Sequence, residues 1–470
     1  MAFNSVQYLV FLVLVVGLYG VLRKRGQNAL LLVASYVFYG AWDWRFLSLL
    51  WISTITDYFV GRGMGRTDGQ RTRRRLLGVS VVVNLGMLGA FKYFNFFADS
   101  AAALLDSAGM TADWPTLNVV LPVGISFYTF QTMSYTIDVY RRRIEPTADP
   151  LAFAVFVAFF PQLVAGPIER ARHLLPQFAQ RRRLARSDDL ATALHLIGLG
   201  LFKKVVIADA VAPHVNTAFG AAGSAGWVTL LVGVLGFALQ IYGDFSGYSS
   251  IARGSARLLG VDLMVNFNQP YLSRNITHFW RTWHISLSTW LRDYLYIPLG
   301  GNRGSRRATY RNLMLTMLLG GLWHGAAWTF VAWGALHGAF LSAHRRFRGR
   351  TSGSEHELPR LRHIPSVLVT FAAVTVTWVF FRADTFADAW DYLGGLLTLR
   401  PGAIDRTAVW IIVPALLVTL TIDLAQRHGA RHEAMMSWPR LVRGLAYGAA
   451  AITFIVFSGD APVPFLYFQF

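Results

Sequence analysis

Long apolar runs recur along this chain, near residues 5–22, 28–41, 46–61, 76–97, 118–140, 151–165, 188–215, 226–250, 312–323, 325–343, 365–382, 408–424 and 441–457. A helix needs about 20 residues to cross a hydrocarbon core about 30 Å thick, and several runs reach that length. Their apolar character is continuous rather than alternating, which argues against a β-barrel. The pattern predicts an all-α, polytopic integral membrane protein with roughly 10 to 12 crossings. The pieces at 28–41, 151–165 and 312–323 are short for a crossing and are expected to be tilted, broken or re-entrant. Composition agrees. Of 470 residues, 54% are hydrophobic and 15% charged, where a soluble domain carries about 25% charged residues. The chain reads as one membrane domain, with N-terminal helices over 1–117, a motif-bearing core over 118–345 and C-terminal helices over 346–470.

The formal net charge is +19. Its position matters more than its size. Arg71 to Arg75, Arg141 to Arg143, Arg181 to Arg183 and Arg345 to Arg350 all fall in short segments between apolar runs. That is the distribution of cytoplasmic loops under the positive-inside rule, so anionic headgroups and anionic cytosolic ligands are the expected partners, not nucleic acid. Arg23 to Arg25, Arg62 to Arg75, Arg141 to Arg143 and Arg170 to Arg186 are assigned to the cytoplasmic side. The Lys- and Arg-free stretches 98–118 and 216–227 are assigned to the outer side. The run at 6–22 lacks a basic stretch before it and a small-residue cleavage site after it, so it reads as a retained first span. With no cysteine, disulfides, thiolate metal sites, palmitoylation and a cysteine nucleophile are excluded.

Two histidines draw attention. His324 lies in Gly320-Gly321-Leu322-Trp323-His324-Gly325, between apolar runs. A titratable ring at membrane depth is costly and normally faces a partner, a cavity or a water path. His284 lies in Trp280-Arg281-Thr282-Trp283-His284-Ile285-Ser286-Leu287-Ser288-Thr289-Trp290. The stretch from 266 to 311 interleaves Trp, Tyr and Leu with Arg, His, Asn and Ser, as neither a clean span nor an ordinary loop does. If Trp283 to Tyr294 is one helix, Trp283, Leu287, Trp290, Leu291 and Tyr294 share a face, with His284, Ser288 and Arg292 on another. Such a helix lies at the interface or lines a polar cavity. Pro298 ends it, and Gly300 to Gly304 form a turn. Thr351 to His356 is linker-like. A hydrogen-bonded structural role is the competing account of each histidine, and the favoured one for His278, His337 and His344. No pair has metalloprotease spacing, so no metal site is expected.

These residues together resemble the membrane-bound O-acyltransferase family, in its bacterial alginate O-acetylase branch. The resemblance is carried by Leu121 to Gln131 (LPVGISFYTFQ), Phe160 to Ile168 (FPQLVAGPI) and Gln240 to Tyr248 (QIYGDFSGY). It continues in the His284 segment through Tyr294 to Asn302 (YLYIPLGGN), Gly321 to Gly325 (GLWHG) and the closing Phe465 to Phe470 (FLYFQF). The resemblance implies a helical fold around a central tunnel, with His324 essential and His284 beside it. It implies transfer of an acyl group from a cytoplasmic thioester to a hydroxyl, in a multi-pass protein of the bacterial inner membrane. It also implies a periplasmic or surface partner of the SGNH type, or polysaccharide export machinery.

The chemistry suits the residues. A neutral imidazole can take the hydroxyl proton as the oxygen attacks the thioester, which contributes about 10²–10⁴-fold. His324 fits that base. His284, Asn302 or backbone N–H groups near Gly320 and Gly321 can stabilise the oxyanion. Without a cysteine or a Gly-x-Ser-x-Gly elbow, direct transfer is favoured over an acyl-enzyme. Acetyl-CoA is the expected donor substrate, with no bound cofactor. Arg303, Arg306, Arg307 and Asn302, together with Arg311, suit its phosphates, while positive-inside anchoring explains the same arginines without a ligand. Asp244 is expected to pair with an arginine, to orient a catalytic group or to support the fold. Pro161, Gly166 and Pro167 suggest a re-entrant break, and Glu169 a structural ion pair. Rival readings are D-alanyl transfer to teichoic acid from a carrier-protein thioester, a transporter or flippase, and a membrane scaffold. A transporter predicts repeated halves, which the sequence lacks.

Overall fold

A computed structural model describes residues 1–110, 121–164, 166–348, 361–427, 432–459, 463, 465 and 466. Among these, regular structure is helical, with no strand. The chain divides into two compact units, one formed by Phe3–Leu190 with Ser255–Met264 and one by Ala191–Gly254 with Val265–Phe470.

The first unit contains α1 (Val6–Val21), α2 (Lys24–Asp43), α3 (Leu47–Gly65) and α4 (Gln70–Leu88). A π-turn at Gly89–Tyr93 carries α4 on into α5 (Phe94–Ser107), and α6 (Ile125–Tyr140), α7 (Pro150–Ala158), α8 (Phe160–Leu163) and α9 (Ala171–Phe178) follow. α10 (Asp188–Leu201) leads into the second unit. A π-helical stretch, Phe202–Asp209, joins it to α11 (Ala210–Gly220), followed by α12 (Trp227–Leu258), α13 (Ile276–Thr282) and α14 (Ile285–Leu291). A π-turn at Arg292–Tyr296 precedes α15 (Arg306–His324) and α16 (Trp328–Arg348). The chain continues through α17 (Ile364–Arg382), α18 (Phe386–Leu397), α19 (Arg406–Gln426) and α20 (Arg440–Phe457).

Six described stretches are long and apolar enough to cross a membrane: 70–107, 188–220, 227–258, 364–382, 406–426 and 440–457. That is fewer than the crossings expected from the apolar runs. α2, α3, α15 and α16 have the length, at 20, 19, 19 and 21 residues, but each carries charged groups within its helix. The lipid-facing character is plainest in α20, which buries no residue and leaves Leu441, Leu445 and Ile455 76%, 67% and 71% exposed. A patch of that kind is a liability in water and an ordinary surface in hydrocarbon.

The short pieces differ in which of the expected forms they keep. Residues 28–41 and 312–323 are not broken; they lie inside the continuous helices α2 and α15. The flanking polar residues extend each helix beyond its apolar run, because helical hydrogen bonding does not require apolar side chains. Residues 151–164 are broken as expected: Phe159 leaves helical geometry at ψ 107°, and Pro161 lies in the first turn of α8. Ala165, the stretch 111–118, the linker-like 351–356 and the closing 467–470 lie outside the described residues.

Several polar groups inside the first unit find partners, as a low-dielectric interior favours. Ser53 donates to Asn84 (2.7 Å), Asn84 donates to Asp57 (2.9 Å), and Ser80 bonds Thr136 (2.9 Å), joining α3, α4 and α6. Arg182, itself buried, donates to Asn28 (2.5 Å), to Tyr19 and to the Gln177 carbonyl (2.9 Å). Glu169 is also buried, accepting from the Met264 N–H (2.7 Å) and pairing with His173 (2.8 Å), which is the structural ion pair expected.

Candidate active site

The site lies within the second unit and is built on the hairpin of α15 and α16. These helices approach at backbone distance because glycines line the seam. A Cβ on Gly321 would lie 2.2 Å from the Phe330 carbonyl oxygen, one on Gly334 2.3 Å from that of Met317, and one on Gly325 2.1 Å from the Phe330 ring. Only a hydrogen fits at these positions, as in small-residue packing between membrane helices. The Gly-Gly-Leu-Trp-His-Gly motif is thus a packing device that delivers His324 at the C-terminal end of α15.

There His324 is 3% exposed. Its ring centroid lies 5.1 Å from Trp323, 5.1 Å from Trp333 and 5.4 Å from Phe381. The His284 ring is 6.3 Å away. The two histidines, forty positions apart in sequence, are therefore neighbours in a largely aromatic cluster.

His284 arrives by a different local structure from the one its sequence suggested. Trp283 to Tyr294 is not one helix. α13 ends at Thr282, and His284 takes φ 42° as the N-cap of α14, in left-handed backbone. Past Leu291 the chain turns π-helical. His284 accordingly shares no helix face with Ser288 and Arg292. The cause is tertiary: Asn266 captures the turn. Its carbonyl accepts from the Ile285 N–H (2.8 Å), and its side-chain oxygen lies 3.2 Å from His284 Nδ1. Phe245 meets the His284 ring edge-on at 4.6 Å. His284 is fully buried, and burial pushes its pKa down to about 3, so the ring is neutral.

A cavity of about 730 Å³ is lined by Ile285, Ser288, Thr289, Leu291 and Arg292, by Thr316 and Met317 of α15, and by Arg281, Asn302 and Arg345, among others. Ile285 directly follows His284, and Met317 precedes His324 by two turns, about 10 Å along the helix. Three arginines face this space. Of the residues expected to meet the donor, Asn302 lines the cavity; Arg303, Arg306 and Arg307 are exposed and do not. Arg311 hydrogen-bonds the Asn312 side chain (3.1 Å). Arg281, Arg292 and Arg345 were visible in the sequence as members of an aromatic stretch, a supposed helix face and a basic run. No local signal marked Asn266.

The remaining candidates have fold-supporting contacts. Asp244 pairs with a lysine rather than an arginine: Lys204 Nζ is 2.8 Å away, and the Leu466 N–H donates to it (2.6 Å). Lys204 also meets Asp209 at 2.7 Å. His337 accepts from Trp280 Nε1 (3.2 Å) and bonds Thr377 (3.0 Å). His344 lines the cavity and meets Thr277 at 3.0 Å.

A multi-pass helical membrane protein with paired buried histidines beside an arginine-lined cavity is the class that fold and site define. The chain belongs to the membrane-bound O-acyltransferase family, whose model matches residues 140–383, and it is an O-acyltransferase. It is 47% identical to a probable alginate O-acetylase AlgI of Azotobacter vinelandii over 83% of this chain and 77% of that protein. A peptidoglycan O-acetyltransferase of Helicobacter pylori is 37% identical over 83% and 79%. A teichoic acid D-alanyltransferase of Bacillus subtilis is 26% identical over 58% and 71%.

Proposed function

We propose that this protein moves an acetyl group from a cytoplasmic thioester, acetyl-CoA, across the bacterial inner membrane to a hydroxyl of an exported polysaccharide, directly or through an SGNH-type partner. The observation that carries this reading is the His284–His324 pair at 6.3 Å, flanked by residues of a cavity faced by three arginines. The hydroxyl oxygen attacks the thioester carbonyl as its proton passes to His324, the C–O bond forms, and the C–S bond breaks. The thiolate leaves without a strong general acid and is protonated in turn. Arg281, Arg292, Arg345 and Asn302 receive the phosphates of the donor, as charge-assisted hydrogen bonds to planar guanidinium groups would. Arg303, Arg306 and Arg307 stand outside that lining and serve as membrane-face anchors.

The acetyl donor is favoured over a D-alanyl carrier by likeness: the relatives named for acetyl transfer align at higher identity and over more of the chain than those named for D-alanyl transfer. The test uses purified protein in nanodiscs with radiolabelled acetyl-CoA, comparing wild type with His324→Gln. Coenzyme A release that requires His324 and rises with a hydroxyl acceptor is expected. Transfer from a D-alanyl carrier protein, with none from acetyl-CoA, would replace the donor in this reading.

A further inference from the structure

Resting on that reading, we propose that Asn266 is a positioning residue that holds His284 as a hydrogen-bond acceptor at Nε2. Asn266 is 1% exposed, and its side-chain oxygen gathers three contacts: His284 Nδ1 at 3.2 Å, the Ser286 N–H at 3.1 Å and the Ser286 hydroxyl at 2.9 Å. A backbone N–H can only donate, so the atom it meets is the amide oxygen and not the amide nitrogen. Nδ1 beside that oxygen therefore carries the hydrogen. A neutral imidazole has one N–H, so the lone pair sits on Nε2. The amide nitrogen of Asn266 points the other way, to Ser249 (3.4 Å).

The same residue holds the backbone. Left-handed geometry at a non-glycine is strained and persists where surroundings over-determine it. The Asn266 carbonyl on the Ile285 N–H, with the side-chain bonds to Ser286, supplies that constraint. One asparagine thus sets both the direction of the His284 ring and its tautomer.

A consequence for the reaction follows. An oxyanion needs a donor, and a neutral His284 with its hydrogen committed to Asn266 offers none. Oxyanion stabilisation then falls to other groups, and His284 acts as a second acceptor beside His324. Described groups packed on the His284 ring include Phe245 of α12, Asn266 and Phe267 before α13, Ser286 of α14, and Trp323 and His324 of α15. His324 is the titratable one among them.

The experiment compares wild type, Asn266→Asp and Asn266→Leu as full chains in nanodiscs. It reads kcat and donor KM against pH, with nitrogen NMR of histidine-labelled protein assigned by a His284→Gln difference spectrum. Wild type is expected to show His284 with a protonated Nδ1 and a bare Nε2. Asn266→Leu should lose the fixed tautomer and at least about 10-fold in kcat with donor KM unchanged. Asn266→Asp keeps the acceptor and adds a carboxylate that favours the imidazolium, so the acid limb of the kcat profile should move to higher pH. A wild-type His284 carrying its hydrogen on Nε2 overturns the proposal. So does an Asn266→Asp profile superimposed on wild type, alone if Asn266→Leu does not fold. If wild type transfers nothing, the acetyltransferase reading fails by itself, and the NMR signals still decide the role of Asn266.

Discussion

At the residue scale, two histidines in one aromatic cluster owe their placement to different constraints. His324 is carried by a regular helix and enclosed by Trp323, Trp333 and Phe381; His284 is held in a strained turn. Replacing His324 with Gln keeps a polar side chain of similar reach but removes the proposed base. Acyl transfer should fall by about 10²-fold or more, with the thermal midpoint in detergent little changed; kcat and a melting curve check this. His284 makes a separate prediction through pH. Its depressed pKa means that the unfolded chain binds a proton, below about pH 6.5, that the folded protein refuses. Stability should therefore fall as pH drops through that window toward 3. His284→Gln should fall less steeply over the same range, and thermal midpoints of the two proteins in parallel measure the difference.

At the element scale, the hairpin of α15 and α16 depends on glycines that no local rule of helix propensity favours. Gly334 has no room for a side chain, since its Cβ would lie 2.3 Å from the Met317 carbonyl. Gly334→Val should cost about 1–3 kcal/mol through overpacking and backbone displacement, and should lower activity by shifting His324. Gly444, on α20, has nothing within 4 Å of its Cβ position. Gly444→Ala should be neutral or slightly stabilising, because alanine favours the helix by about 1 kcal/mol. Thermal unfolding of both variants in one detergent tests the contrast.

At the scale of the whole molecule, the arginines divide into those that line the cavity and those that do not. If the donor's phosphates enter the cavity, Arg345→Ala and Arg281→Ala should each raise the KM for acetyl-CoA about 10-fold or more, as loss of a charge-assisted bond worth about 1.5–3 kcal/mol requires. Arg306→Ala and Arg307→Ala should change it less than about 3-fold, since neither side chain lines the cavity. The reverse order of effects would place the donor on the exposed start of α15. Initial rates over a range of donor concentrations decide between them.

Residue order alone made legible the helical membrane class, the break near Pro161, the turn at Gly300 and Gly301, and the two histidines as candidates. Each is a local property: run length, a missing N–H, a positive φ that glycine adopts freely, or an ionisable ring where burial is costly. It did not determine that α2 and α15 run on beyond their apolar cores, because a helix end is set by capping and packing as much as by hydropathy. Nor did it foresee that His284 caps a helix instead of lying on one. The periodicity over Trp283 to Tyr294 suited a single helix, and the competing force came from Asn266, eighteen residues earlier. Tertiary structure alone decided that tautomer-setting contact, the 6.3 Å approach of the two rings and the choice of arginines that face the cavity. All three depend on chain segments meeting in space, and in one sequence no spacing rule records such meetings.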